Sequence, residues 1–243
     1  MPATLRLPAP PSTDALERAR ALIIRGRIPP GVRVTEADLA ARLGVGRTPA
    51  REAVQRLLAE GLLVPAGGGA RPRAAVAPIS AEDAEELFQA AGALEGIAVR
   101  SIGELSDAER RLLVRSLRER QRTLRQSARA RPIDYDQLFE AHNAFHDTLR
   151  QACAGAGTHS LLETIRARLD RYEWLYAPLV GPDFSPTFAE HDAIIAAVSE
   201  GDGRACERAV RANWFNAGRR VARAVDGAGE LGLARLAALA TKM

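Results

Sequence analysis

The chain has 243 residues, 47% hydrophobic and 26% charged, enough for one large globular domain or two modest ones. Two cysteines, Cys153 and Cys206, give no disulfide framework, and no apolar run reaches the roughly 18 residues that a membrane helix needs, so a cytoplasmic protein without a membrane partner is expected. Charge is uneven: residues 1–78 hold twelve arginines against six acids, a net of +6, whereas residues 79–243 hold 22 basic and 24 acidic residues, a net of −2, so the head suits a polyanion and the body does not.

Residues 1–11 have no apolar signal core and read as a disordered arm. The head follows over residues 12–78. Ser12 caps a first helix to about residue 26, with Leu16, Leu22 and Ile23 on its apolar stripe, and Pro29-Pro30-Gly31 turns the chain. Thr35-Glu36-Ala37-Asp38 resembles a capping box and opens a second helix carrying Leu39, Ala40 and Leu43. Gly44-Val45-Gly46 breaks it, and a third helix runs from Thr48 to Glu60 with Ala50, Ala53, Val54, Leu57 and Leu58 inward. Two short helices around a glycine turn make a helix-turn-helix. Leu62–Val64 and Ala74–Ala77 read as two short strands, and their glycine-rich tip carries Arg71 and Arg73, so the hairpin is a wing able to lie on a nucleic-acid backbone.

From Ser80 on, no strand pattern remains. Helices are expected at about 80–100, 106–128, 134–153, 158–177, 186–200 and 203–224, and residues 228–243 as a short helix or frayed tail. The fold class is therefore mainly α: a winged helix-turn-helix followed, over residues 79–227, by an all-α bundle of six or seven helices.

Arg47, Thr48 and Arg51 share one face near the start of the third helix, where the helix dipole disfavours cations unless an anion outside the chain meets them. In a helix-turn-helix that end enters the DNA major groove, and arginine matches the paired acceptors of guanine. The bland alternative is that Arg51 pairs with Glu52 or Glu36. The run from Ile24 to Leu63, with PPG, E-x-x-LA-x-x-LGV, RTP-x-RE-A and L-x-x-EGL in order, resembles the winged-helix domain of the GntR family of bacterial transcription regulators. The resemblance implies DNA contacts at Arg47, Thr48 and Arg51. Ala37 and Gly46 depart from it, standing where relatives carry polar contact residues, which narrows the contact set and leaves the wing arginines to compensate.

In the body, His142 and His146 lie at i and i+4 on one helix face, a spacing able to hold one metal ion, and His191 follows on a later helix. His159 lies in a loop start. The stretches LFQAAGALEGIAVR, EAHNAFHDTLRQA, FAEHDAIIAAVSEGD and AVRANWFNAGRRV resemble the FCD effector-binding domain of the FadR branch of the same family. That resemblance implies a metal site in which His146 and His191 match, His142 replaces Asp or Asn, and Asn213 replaces a histidine. One divalent ion per subunit, zinc or nickel, bound by His142, His146 and His191 is one reading; a metal-free polar pocket is the other. Ala91 stands where relatives hold a carboxylate-gripping arginine, so the pocket, with Asn213, Tyr172 and Ala91 as candidate wall residues, suits a flatter or less polar effector. Trp174 reads as a core or interface aromatic.

The resemblance implies a homodimeric regulator, by default a repressor, whose affinity for operator DNA is controlled by a small-molecule effector. A metal-dependent enzyme using the histidines, and a DNA-binding protein with a ligand-free body, are the alternatives. The enzyme lacks an obvious general base or nucleophile motif.

Overall fold

The computed structural model describes residues 11–67, 74–181 and 183–240. The arm residues 1–10 and the wing-tip arginines Arg71 and Arg73 lie outside the described residues. The chain divides into two compact units, residues 1–78 with 233–243, and residues 79–232.

The head contains α1 (Pro11–Ile24), β1 (Arg33–Val34), α2 (Glu36–Leu43), α3 (Arg47–Ala59), β2 (Leu63–Pro65) and β3 (Ala74–Val76). Thr35 caps α2 in a full capping box with Asp38, and Gly44 closes it in the left-handed region at φ 65°, which a side chain would resist. Gly46 opens α3 with no side-chain cap, and Pro49 falls in the first turn, where no intrahelical donor is lost. Ala19, Ile23, Leu39, Ala50, Leu57 and Leu62 form the buried centre. Two arginines of α1 tie the other helices to it: Arg18 donates to the Leu43 carbonyl at 2.7 Å, and Arg20 grips Glu60 at 2.7 and 2.5 Å. The expected hairpin is present, and a third strand joins it. β1 pairs with β3 through Arg33↔Ala75 and Val34↔Ala74, giving the antiparallel order β1-β3-β2. Two residues are too few for alternation to signal a strand.

The body is a bundle of six helices: α4 (Ala81–Val99), α5 (Asp107–Arg129), α6 (Tyr135–Cys153), α7 (Ala156–Val180), α8 (Ser185–Glu200) and α9 (Gly203–Ala240). A 3-10 turn, Arg100–Glu104, follows α4. Ser80, Ser106 and Asp134 cap α4, α5 and α6 with their side chains. Close approach of α4 and α9 depends on glycine: a Cβ on Gly92 would stand 2.8 Å from the Trp214 Cβ, and one on Gly218 2.8 Å from the Phe88 Cβ. α9 runs on to Ala240 rather than stopping near residue 224. Each of Gly227, Gly229 and Gly232 costs the helix about 1 kcal/mol but forces no break. No described helix is long and apolar enough to cross a membrane.

Candidate functional site

Two places hold side chains whose chemistry is not spent on the fold. The first is the start of α3. Arg47, Thr48 and Arg51 are all exposed there. Neither arginine has an ion pair or side-chain hydrogen bond among the described residues, so the pairing of Arg51 with Glu52 or Glu36 does not occur.

The second is buried in the body. His142 and His146 project from α6 and meet His191 of α8; their candidate ligand atoms lie within 4.8 Å of one another. The rings form a triangle, with centroid separations of 5.0, 5.6 and 5.4 Å. His191 is held flat against Phe145, centroids 3.8 Å apart and planes within 2°. Neither of its ring nitrogens has a hydrogen-bond partner.

Two carboxylates that the sequence does not mark stand beside the other rings, and one of them orients its ring by a hydrogen bond. Glu95, fully buried on α4, lies 2.8 Å from His146 Nδ1 and 3.2 Å from Arg150. A carboxylate accepts only, so Nδ1 carries the proton and the buried, unpartnered Nε2 presents its lone pair. Glu173 of α7 stands 3.4 Å from His142 Nδ1. Burial alone would raise Glu95, but His146 and Arg150 hold it below its ordinary value. Burial pushes His146 down despite Glu95, and pushes His191 well below its usual value, with His146 and His142 adding to the effect. Neutral imidazoles with free lone pairs are what a metal ion binds. The donor set therefore fits a divalent ion: the cluster could coordinate one through three imidazoles backed by two carboxylates.

An apolar cavity of about 100 Å³ adjoins this cluster. Phe88, Phe139, Phe184, Phe188, Leu124 and Leu138 supply much of its wall. His142 belongs to both wall and cluster, and Glu173, Thr187 and Arg220 are the other polar members. Arg220 is committed: it donates to both oxygens of Glu190 at 2.8 and 2.9 Å.

The remaining sequence candidates are all buried. Asn213 is buried and donates to Glu190 Oε2 at 3.0 Å. Tyr172 is buried, with its hydroxyl 2.8 Å from Asp83 Oδ2 and 3.1 Å from the Ser80 amide, and does not line the cavity. Ala91 is fully buried and lines a separate crevice with Arg150, Arg166 and Glu173. Trp174 donates to Asp136 at 2.8 Å. The thiols are poor nucleophiles, since burial pushes Cys153 up to about 11 and Cys206 up to about 12.

Comparison with known proteins agrees with both halves. Residues 11–70 match the bacterial regulatory proteins of the gntR family, and residues 86–214 match the FCD domain. An uncharacterized HTH-type transcriptional regulator, BphR of Paraburkholderia xenovorans (strain LB400), is 32% identical over 162 residues, 66% of this chain and 65% of its own length. Another, from an unstable DNA locus of Streptomyces ambofaciens, is 29% identical over 208 residues, 82% of this chain and 79% of its own. In fold, the chain resembles a transcriptional regulator GntR from Rhodococcus sp. RHA1, with a TM-score of 0.65 at 21% identity, covering 86% of this chain and 96% of that one. It also resembles E. coli McbR/YncC, with a TM-score of 0.64 at 18% identity, covering 85% and 94%. This is a non-enzymatic class, and the chain belongs to it: a DNA-binding transcription regulator of the GntR family carrying an FCD effector-binding domain.

Proposed function

We propose that the protein is a homodimeric repressor whose affinity for operator DNA is set by a divalent ion, zinc or nickel, and a small metabolite held together in the body. The observation that carries this reading is the double role of His142, which belongs both to the imidazole cluster and to the cavity wall. An occupant of the cavity would thus bear directly on the ion's ligands. His142, His146 and His191 hold the ion; Glu95 fixes the His146 ring, and Glu173 lies beside His142. When bound, the ion supplies a Lewis-acidic anchor at the end of the cavity. Asn213 clamps Glu190, next to His191, to α9 and is a positioning residue in this reading rather than a ligand. Tyr172 and Ala91 hold the surrounding helices.

In the head, Arg47 and Arg51 read base edges, and Thr48 meets a phosphate or a base edge. Arg71 and Arg73 of the wing meet the backbone. Two heads on a two-fold dimer match two half-sites. Control follows if the ligand-bound body favours one spacing of the heads, because an effector shifts an equilibrium only by its differential affinity for the two states.

The test begins with duplexes selected from a random pool by the wild-type protein. Arg47→Ala or Arg51→Ala is expected to lose about 1–3 kcal/mol on the selected duplex, read by fluorescence anisotropy, and less on a scrambled one. Equal loss on both duplexes would reduce that residue to a phosphate contact. Unchanged binding in both variants would reject the recognition-helix assignment.

A further inference from the structure

The cavity wall says what kind of molecule it takes, given the effector site proposed above. Its free volume is about 100 Å³. An apolar cavity of about 150 Å³ is known to hold benzene, so the smaller space here takes no more than one small ring. Four phenylalanines, Phe88, Phe139, Phe184 and Phe188, surround that space and favour an aromatic guest through edge and face contacts.

An anionic guest finds no uncommitted cation among the described residues of the wall. The single guanidinium of the wall among the described residues, on Arg220, already holds both oxygens of Glu190 at 2.8 and 2.9 Å. A carboxylate guest would have to displace Glu190 or lie unpaired in an apolar wall. A cationic guest would enter beside Arg220 and beside the histidine cluster, where a bound divalent ion would repel it. A hydrogen-bond donor is different. Glu173 Oε2 is buried without a hydrogen bond, 3.4 Å from His142 Nδ1, and Glu173 lines the cavity. An unmet buried acceptor is a standing cost that a donor from the guest relieves.

We infer that the cavity binds a compact, uncharged aromatic alcohol of the phenol class, its ring among the four phenylalanines and its hydroxyl donating to Glu173 at the His142 end. The inference rests on the effector-site reading and adds the ligand's size, charge and polarity to it.

Ligand-observed NMR on the full chain tests this with four probes: phenol, toluene, benzoate and benzylamine. Phenol is expected to bind at least tenfold tighter than benzoate or benzylamine. Its advantage over toluene should shrink at least fivefold in Glu173→Gln, and Ala217→Phe, which fills the space, should abolish binding. The probe comparison on the wild type decides without any variant having to fold. Benzoate or benzylamine binding as tightly as phenol would overturn the ligand class while leaving the effector site standing. Silence toward all four probes would overturn both the class and the cavity as the effector site.

Discussion

Head and body spend their charges in opposite ways. At the start of α3, Arg47 and Arg51 stand exposed and unpaired among the described residues. In the body, Glu95 and His191 are 0% exposed and Arg150 5%, and Glu95 is bound on one side by His146 and on the other by Arg150. An exposed cation set against a helix dipole costs the fold little and points outward, to an anion the chain does not supply. A buried charge is tolerated only when paired, so a cluster of such pairs defines a site whose geometry the fold holds rigidly. The head is built to meet a partner; the body is built to hold something still.

Mutations should separate these two regimes. The largest effect is expected at Glu95. Glu95→Ala leaves Arg150 and His146 buried beside a missing partner, and the body should lose about 3–5 kcal/mol, read by urea unfolding. Tryptophan fluorescence reports the body alone, since both tryptophans, Trp174 and Trp214, lie there. The arginines of α3 come next. Removing Arg47 or Arg51 should weaken DNA binding as described yet leave urea unfolding of the head, followed by far-ultraviolet circular dichroism, within about 0.5 kcal/mol, because neither has a partner among the described residues. A stability loss as large as that of Glu95→Ala would mean that the head's charges are structural after all.

Acid should sharpen the contrast with a smaller effect. His146 and His191 are held below their ordinary value of 6.5 in the folded chain. As pH falls below that value, the unfolded chain takes up protons that the folded one refuses, so stability falls with falling pH. The slope is at most about 1.4 kcal/mol per pH unit for each imidazole. The metal-stripped body should therefore lose thermal stability from about pH 6.5 downward, and His191→Phe should flatten that dependence. A body equally stable at pH 7.5 and 5.5 would show that the imidazoles are not as enclosed as described.

The same difference explains what could be read from the sequence. The head's signals are local: the Thr35–Asp38 box, the glycines around Val45 and the proline at the start of α3 each act within a few residues. Only β1 escaped, because two residues become a strand only by pairing with Ala74 and Ala75, some forty positions away. In the body, His142 and His146 were legible because i,i+4 is itself local, and His191 because few histidines compete with it. Glu95 and Glu173 were not. Glu95 reaches His146 from another helix across 51 residues, and nothing in the sequence around it marks that contact. Tyr172 suggested a pocket wall because an aromatic side chain suits a flatter or less polar effector. Instead its hydroxyl secures the first turn of α4, 92 residues upstream of the tyrosine at Ser80. The phenylalanine-lined cavity is likewise a product of packing, drawn from α4 to α9.

In the proposed function, what the body holds controls what the head binds. The most direct measurement is the affinity for the selected duplex of metal-stripped and zinc-loaded protein in the same buffer, with His146→Ala alongside. Zinc is expected to change wild-type affinity by about 5–150-fold, the range of ordinary allosteric coupling, and DNA to change zinc affinity by the same factor. His146→Ala should retain no zinc and should bind DNA like stripped protein under both conditions. Superimposable curves for wild type with and without bound zinc would overturn this coupling, leaving a DNA-binding head whose body does not control it through this site.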